Sequence, residues 1–86
     1  MKEEREELGI VKDIHIGIRD TNSCICWFTV DTLHGTSLQI IPIHRICEEM
    51  ERLFIYKLED LNNKPCIVYI EGGFMKFKQF YKEYGN

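Results

Sequence analysis

Four residues in two short spacings have the types needed to hold a metal ion: Cys24-x-Cys26 and His44-x-x-Cys47. On a strand, Cys24 and Cys26 share one face. At the start of a helix, His44 and Cys47 lie one turn apart. Together they offer four nitrogen and sulfur ligands for tetrahedral zinc. The C-x-C spacing is tighter than the knuckle of most structural zinc sites, and the neighbours are apolar. The reading adopted is therefore four reduced thiols, Cys24, Cys26, Cys47 and Cys66, packed as small hydrophobes with no metal and no cofactor.

The three histidines add no reaction. His15 is expected on an open sheet face beside Asp13 and Arg19, and His34 in a solvated turn. Neither has a serine or cysteine nucleophile in a recognisable context such as G-x-S-x-G. Gly72-Gly73 precedes a strand, so no helix N-terminus faces a phosphate there. The chain is read as a non-enzyme.

Binding is the chemistry these residues suit. Trp27, Tyr69 and Phe77 are aromatic anchors for a ligand ring, a base or a protein partner. With Trp27 or Tyr69 stacking a base, Arg19 or Lys76 could hold its phosphate, which would make a binder that sequesters a nucleotide between subunits. Glu48, Glu49 and Glu51, with Glu59 and Asp60, could meet a basic surface on a protein target. Lys76, Lys78 and Lys82 form the only basic run, which leaves a small nucleic-acid-binding module as an alternative.

The elements that must position these groups follow from periodicity. Ile10 to Arg19 alternates in period two, as a half-buried strand does. Asp20-Thr21-Asn22-Ser23 is a turn cluster. From Cys24 to Asp31 a second strand puts Cys24, Cys26, Phe28 and Val30 on one face and Ile25, Trp27 and Thr29 on the other. Leu33-His34-Gly35 turns the chain into a third strand, Ser37 to Ile43, which Pro42 should end. A helix beginning near His44 carries the stripe Ile46, Cys47, Met50, Leu53, Phe54. Cys66 to Glu71 and Phe74 to Tyr81 make a hairpin over Gly72-Gly73. The fold class expected is α+β: an antiparallel sheet of about five strands in the order βββαββ, with one amphipathic helix on one face. Residues 1–86 form a single domain in this reading, with 1–9 a loose N-terminal segment or a frayed helical turn.

A single helix covers one face of such a sheet. The other is expected to carry Trp27, Tyr69 and Phe77 and to need a partner, most simply a second copy in a two-fold dimer. The size points the same way, because a chain of 86 residues has a thin stability margin.

The composition is 44% hydrophobic and 29% charged, with a formal net charge of −3, so the chain as a whole does not attract nucleic acid. No apolar run approaches the roughly 20 residues that span a bilayer. The first seven residues, with two positive and four negative charges, lack the pattern of a signal peptide. A cytosolic chain is expected.

Three segments carry a likeness: Cys26-Trp27-Phe28-Thr29-Val30, Ser37-Leu38-Gln39-Ile40, and Tyr56 through Cys66 with its Leu58-Glu59-Asp60-Leu61-Asn62-Asn63-Lys64 turn. With these the chain resembles a group of short phage and prophage accessory proteins of uncharacterised function. In place of the Gly-rich stretch many of them carry after the third strand, it has Ile41-Pro42-Ile43. The resemblance implies no catalytic residues. It implies a context, in which a small protein docks on a host protein and inhibits it, as anti-CRISPR and other counter-defence proteins do in the host cytoplasm.

Overall fold

The computed structural model describes residues 4–20 and 23–82. Five strands, β1 (Glu4–Asp20), β2 (Ser23–Thr32), β3 (Gly35–Pro42), β4 (Pro65–Glu71) and β5 (Phe74–Phe80), run with one α-helix, α1 (Ile43–Leu53), between β3 and β4. A short 3-10 turn, Leu58–Leu61, follows the helix. The chain is α+β, with the element order that periodicity predicts. All four strand pairings are antiparallel, and the sheet order is β3-β2-β1-β4-β5.

The central strand is where sequence and structure differ most. Residues 4–9, expected as loose chain or a frayed turn, form the first half of β1 and pair with β4 from Glu4↔Glu71 to Ile10↔Pro65. The second half pairs with β2 instead. The change of partner falls at Ile10, just before a bulge: between Lys12 and His15 the register slips by one residue, and Asp13 takes φ 54°. Bulges bend strands and raise twist. Asn62 and Asn63 fill the bend, where the Ile14 N–H donates to Asn62 Oδ1 and the Asn63 N–H donates to the Val11 carbonyl.

Bent in this way, the sheet curls so that one face becomes an interior. Val11, Cys26, Phe28, Val30, Ile46, Leu61, Cys66, Val68 and Phe80 are fully buried there. Phe77 belongs to the same core, with its ring 5.0 Å from Phe28 and 5.3 Å from Phe80, both edge-on. It is thus not an open-face anchor. Its expected place on a second apolar face assumed a flat sheet.

Nor does the helix lie flat on one sheet face. It packs on β2 and β3 and reaches β5 with polar side chains across the seam where the curled sheet nearly closes. The Arg45 Nη2 donates to the Lys78 carbonyl at 2.7 Å, the Arg52 Nη2 to the Phe80 carbonyl at 2.6 Å, and the Phe80 N–H donates to Glu49 Oε1 at 2.6 Å. From β3, the Gln39 amide donates to the Met75 carbonyl and accepts from the Phe77 N–H, both at 3.0 Å. Those are the two bonds that one backbone residue of a parallel neighbour would make, so Gln39 stands in for a strand.

Pro42, at φ −62°, ends β3 and caps α1, because it lacks the N–H a further strand would need. The helix ends at Phe54, held in the left-handed region at φ 57° with its N–H donating to the Glu51 carbonyl. Ile46 is the stripe residue that is fully buried. Met50 and Leu53 pack partly against the core, whereas Cys47 and Phe54 are exposed.

Burial, aided by the neighbouring Cys47, pushes the Cys26 thiol from its ordinary 9.0 up to about 11. Burial pushes Cys66 up to about 12, against a lowering hydrogen bond from the Gly9 backbone. Both pKa values are raised in the folded state. Their contribution is therefore intact below pH 9 and lost as pH rises, since the unfolded thiols ionise first. At pH 10 the loss is on the order of 1 kcal/mol per thiol. Urea titrations between pH 8 and 10 should show it, and Cys66→Ala should remove about half of the slope. A pH-independent midpoint over that range would mean that neither thiol is shielded.

Candidate recognition face on β1, β2 and β3

The outer face of the β1–β2–β3 meander is built from aligned rows. Cross-strand register sets His15, Trp27 and Ile40 side by side, one on each strand. Gly17, Ile25 and Pro42 form the row on one flank, and Lys12, Thr29 and Leu38 the row on the other. Trp27 thus occupies the middle of the middle strand. Directly opposed residues share a face, so these rows present nine side-chain positions to one surface.

Trp27 is half-buried because its indole lies over Gly17. A Cβ on Gly17 would sit 2.7 Å from the Trp27 ring, so a side chain there would displace it. The His15 ring packs beside the indole, with centroids 5.6 Å apart. Leu38 and Ile40 stay 58% and 51% exposed, more than solvation of isolated apolar residues needs in adjacent positions.

Polar groups rim this surface. Lys12 Nζ lies 3.4 Å from Asp31 Oδ2, and the Thr36 hydroxyl donates to Asp31 Oδ1 at 2.6 Å. The Thr36 hydrogen bond, with Lys12 second, holds the Asp31 carboxyl below the usual carboxylate range. The lysine on this face is therefore already matched by a carboxylate.

The other expected site residues fall elsewhere. Tyr69 is half-buried on β4 and paired with Lys76 of β5; with Glu71 and Phe74 they line a shallow pocket. Trp27 does not share it. The β1 partners of Trp27 and Tyr69 are His15 and Glu6, nine residues apart, roughly 30 Å along an extended strand. One copy of the chain thus does not bring Trp27 and Tyr69 together around a ring. The side chain of Arg19 lies outside the described residues.

The charged runs are also divided. Lys78 is occupied by Glu6 at 2.6 Å and lies 5.2 Å from the Tyr69 ring. Lys82 donates to the Arg52 carbonyl and sits over Phe54. Among the described residues Lys76 alone of the three is left exposed without such a tie, so these lysines do not form a free basic strip there. Glu48 and Glu51 are exposed on α1 as expected. Glu49 is not part of that surface: it bonds the Phe80 N–H and pairs with Arg52 at 2.8 Å.

Cys24 and Cys47 are exposed, contrary to their expected burial, while Cys26 and Cys66 are buried. Among the described residues no three His, Cys, Asp or Glu side chains gather as a metal-ligand set. His34, expected to be solvated, is exposed but has a partner: its Nε2 lies 3.0 Å from Glu7 Oε2. Among the described residues no helix is long and apolar enough to cross a membrane.

Leu38 and Ile40 are site residues that sequence reasoning left unassigned, whereas it already places Ile25 on the face of Trp27. Their signal is alternation in two adjacent strands at once, and it becomes readable only when β2 and β3 are set in register. Comparisons with protein families, curated proteins and solved structures find no match for the chain.

Proposed function

We propose that this chain is a non-catalytic binding protein that docks on another protein through the outer face of β1, β2 and β3, with Trp27 as the anchor. The observation that supports it is the aligned patch itself: an aromatic residue at its centre, exposed aliphatics beside it and polar groups at its rim. That is the anatomy of a protein-recognition surface. In the finer form of this reading, drawn from the resemblance to phage accessory proteins, the partner is a host defence protein in the cytoplasm, such as a CRISPR effector, and docking inhibits it. Exposed Glu48 and Glu51, with Glu59 and Asp60, would steer the chain toward a basic channel on that target.

One observation favours a second reading. The order β3-β2-β1-β4-β5, with a long bent first strand and a helix between the third and fourth, resembles the connectivity of the OB-fold. OB-folds carry oligonucleotides on the corresponding face, and Trp27 beside His15 would serve as a stacking platform for single-stranded nucleic acid. This is an analogy of topology. The patch argues against it, because its lysine is matched by Asp31 and the net charge is −3.

Trp27 is the sole tryptophan, so its emission reports this face directly. Wild-type protein immobilised against host lysate should retain a partner that Trp27→Ala and Ile40→Asp both lose. An anchor of this kind contributes about 2 kcal/mol, roughly 30-fold in affinity. Both variants should keep a cooperative melt, since neither residue is in the core. Retention of the partner by both would remove this face from the interaction. Salt-dependent binding of oligo-dT or oligo-U, abolished by Trp27→Ala, would establish the nucleic-acid reading instead.

A further inference from the structure

Two stretches of strand edge in the curled sheet, one on β5 and one on the second half of β1, are treated very differently. On β5, Gln39, Arg45, Glu49 and Arg52 satisfy Met75, Phe77, Lys78 and Phe80 backbone groups. On β1 the pairing with β4 stops at Ile10↔Pro65, while the strand continues to Asp20. The Lys64 carbonyl, the Asn63 N–H and the Asn62 side chain cover Val11 and Ile14. Beyond Ile14, His15 and Gly17 pair with β2, and no described strand lies along the opposite edge.

The segment past Ile14 is also apolar on its core-side face. Ile16 and Ile18 pair with Cys26 and Cys24 and so point to the side of the core. They extend past its end: Ile16 is 43% and Ile18 76% exposed, and Cys24 is exposed too. Proteins normally blunt such an edge with Lys, Pro or a covering loop. Ile14 to Ile18 contains no Lys, Arg, Asp, Glu or Pro.

We infer that this edge of β1 is closed by the same edge of a second copy, paired antiparallel about a two-fold axis near Gly17. The occupant is argued from self-complementarity. An edge reads another extended strand, and a two-fold puts identical segments antiparallel. With Gly17 opposite Gly17, each Ile16 faces the other copy's Ile18 on the core side, each His15 faces Arg19 and each Ile14 faces Asp20, so no two carboxylates meet across the ladder even though each chain is net −3. The ladder would join two five-stranded sheets into one and set the two outer faces side by side. Such a short ladder buries less than the roughly 800 Å² per partner of a standard interface, so the dimer should be weak, dissociating in about the micromolar range.

Sedimentation of the intact protein between about 1 and 500 µM tests this. Wild-type chain should pass from monomer to dimer. Ile18→Lys and Ile18→Pro should stay monomeric across the range with unchanged circular dichroism, because the Ile14 N–H points away from β2 to Asn62 and the alternation of an antiparallel ladder turns the Ile16 and Ile18 N–H groups to that same open side. Leu38→Lys, on the outer face, should dimerise like wild type. Hydrogen exchange adds a local readout: the Ile16 and Ile18 amides should gain protection with concentration in wild type and not in Ile18→Lys. A wild-type monomer at 500 µM, a dimer broken by Leu38→Lys but not by the Ile18 variants, or open-ended oligomers would each overturn the assignment. The edge pairing and the docking face fail separately: the first on the Ile18 variants, the second on retention of partner by Trp27→Ala.

Discussion

Ile46→Asp is expected to abolish the cooperative melt of this protein. Ile46 is fully buried where α1 meets the core. Among the described residues no side-chain polar atom in that core is left without a partner, and nothing charged is buried there to receive a carboxylate. An unpaired carboxylate in such a place costs several kcal/mol, either as buried charge or as the proton it must take up. The whole stability of an 86-residue domain is about 4–13 kcal/mol. Cys47→Asp, one residue along and exposed, should melt within a few degrees of wild type. Met50→Asp and Leu53→Asp should fall between, since both side chains are only partly buried and can turn the new carboxylate toward water. Circular dichroism melts of the four variants check the order. A native-like melt for Ile46→Asp would mean that α1 does not pack where the structure sets it.

That ordering marks what the sequence carried and what it did not. Alternation in Cys26, Phe28 and Val30 against Ile25, Trp27 and Thr29 was enough to place Trp27 outside and Phe28 inside, because the face of a strand residue is fixed by parity. Pro42 marked the end of β3 for a reason local to its own ring. By contrast, the fate of Phe77 depends on curvature. Parity puts Phe77 with Met75 on one face of β5, but which face becomes an interior is decided by the Asp13 bulge, some sixty residues earlier. Nothing near Asp13 announces the bulge except an acidic residue able to take positive φ. The same curvature exposes Cys24 and Ile18: they keep the parity of the core but lie past its end.

Residues 4–9 show a second kind of loss. Their charges suggested solvated chain, yet Glu6 and Glu7 are each tied down, Glu6 to Lys78 and Glu7 to Arg5 and His34. A half-exposed strand can be highly charged when its partners are charged too, and two of those partners, His34 in the β2–β3 turn and Lys78 on β5, are far away in sequence. The candidate face has the same dependence, because the row His15–Trp27–Ile40 exists only after two registers are set.

Glu49→Ala is expected to cost about 2 kcal/mol, on the order of 10 °C in melting temperature for a domain this size. Sequence alone makes Glu49 one of several acids on a solvated helix face, and its removal neutral. In the fold its carboxylate accepts the Phe80 N–H and holds Arg52, whose guanidinium donates to the Phe80 carbonyl. Truncation leaves the Phe80 amide at a half-covered seam without its acceptor and frees the guanidinium from its anion. Glu49→Gln keeps an acceptor for the amide and should lose roughly half as much. Arg52→Ala should overlap with Glu49→Ala rather than add to it, because both act on the same residue of β5. Gln39→Leu provides the matched test at the other end of the seam, where the Phe77 N–H and Met75 carbonyl lose one amide between them. Hydrogen exchange separates a local from a global effect: in Glu49→Ala the Phe80 amide should exchange faster than the Phe77 amide, and in Gln39→Leu the order should reverse. Equal exchange at both amides would show that β5 opens as a unit. Melting within about 0.5 kcal/mol of wild type for both Glu49→Ala and Gln39→Leu would show that the curled sheet is held by its core alone, and that the side chains along the seam merely decorate an edge already held.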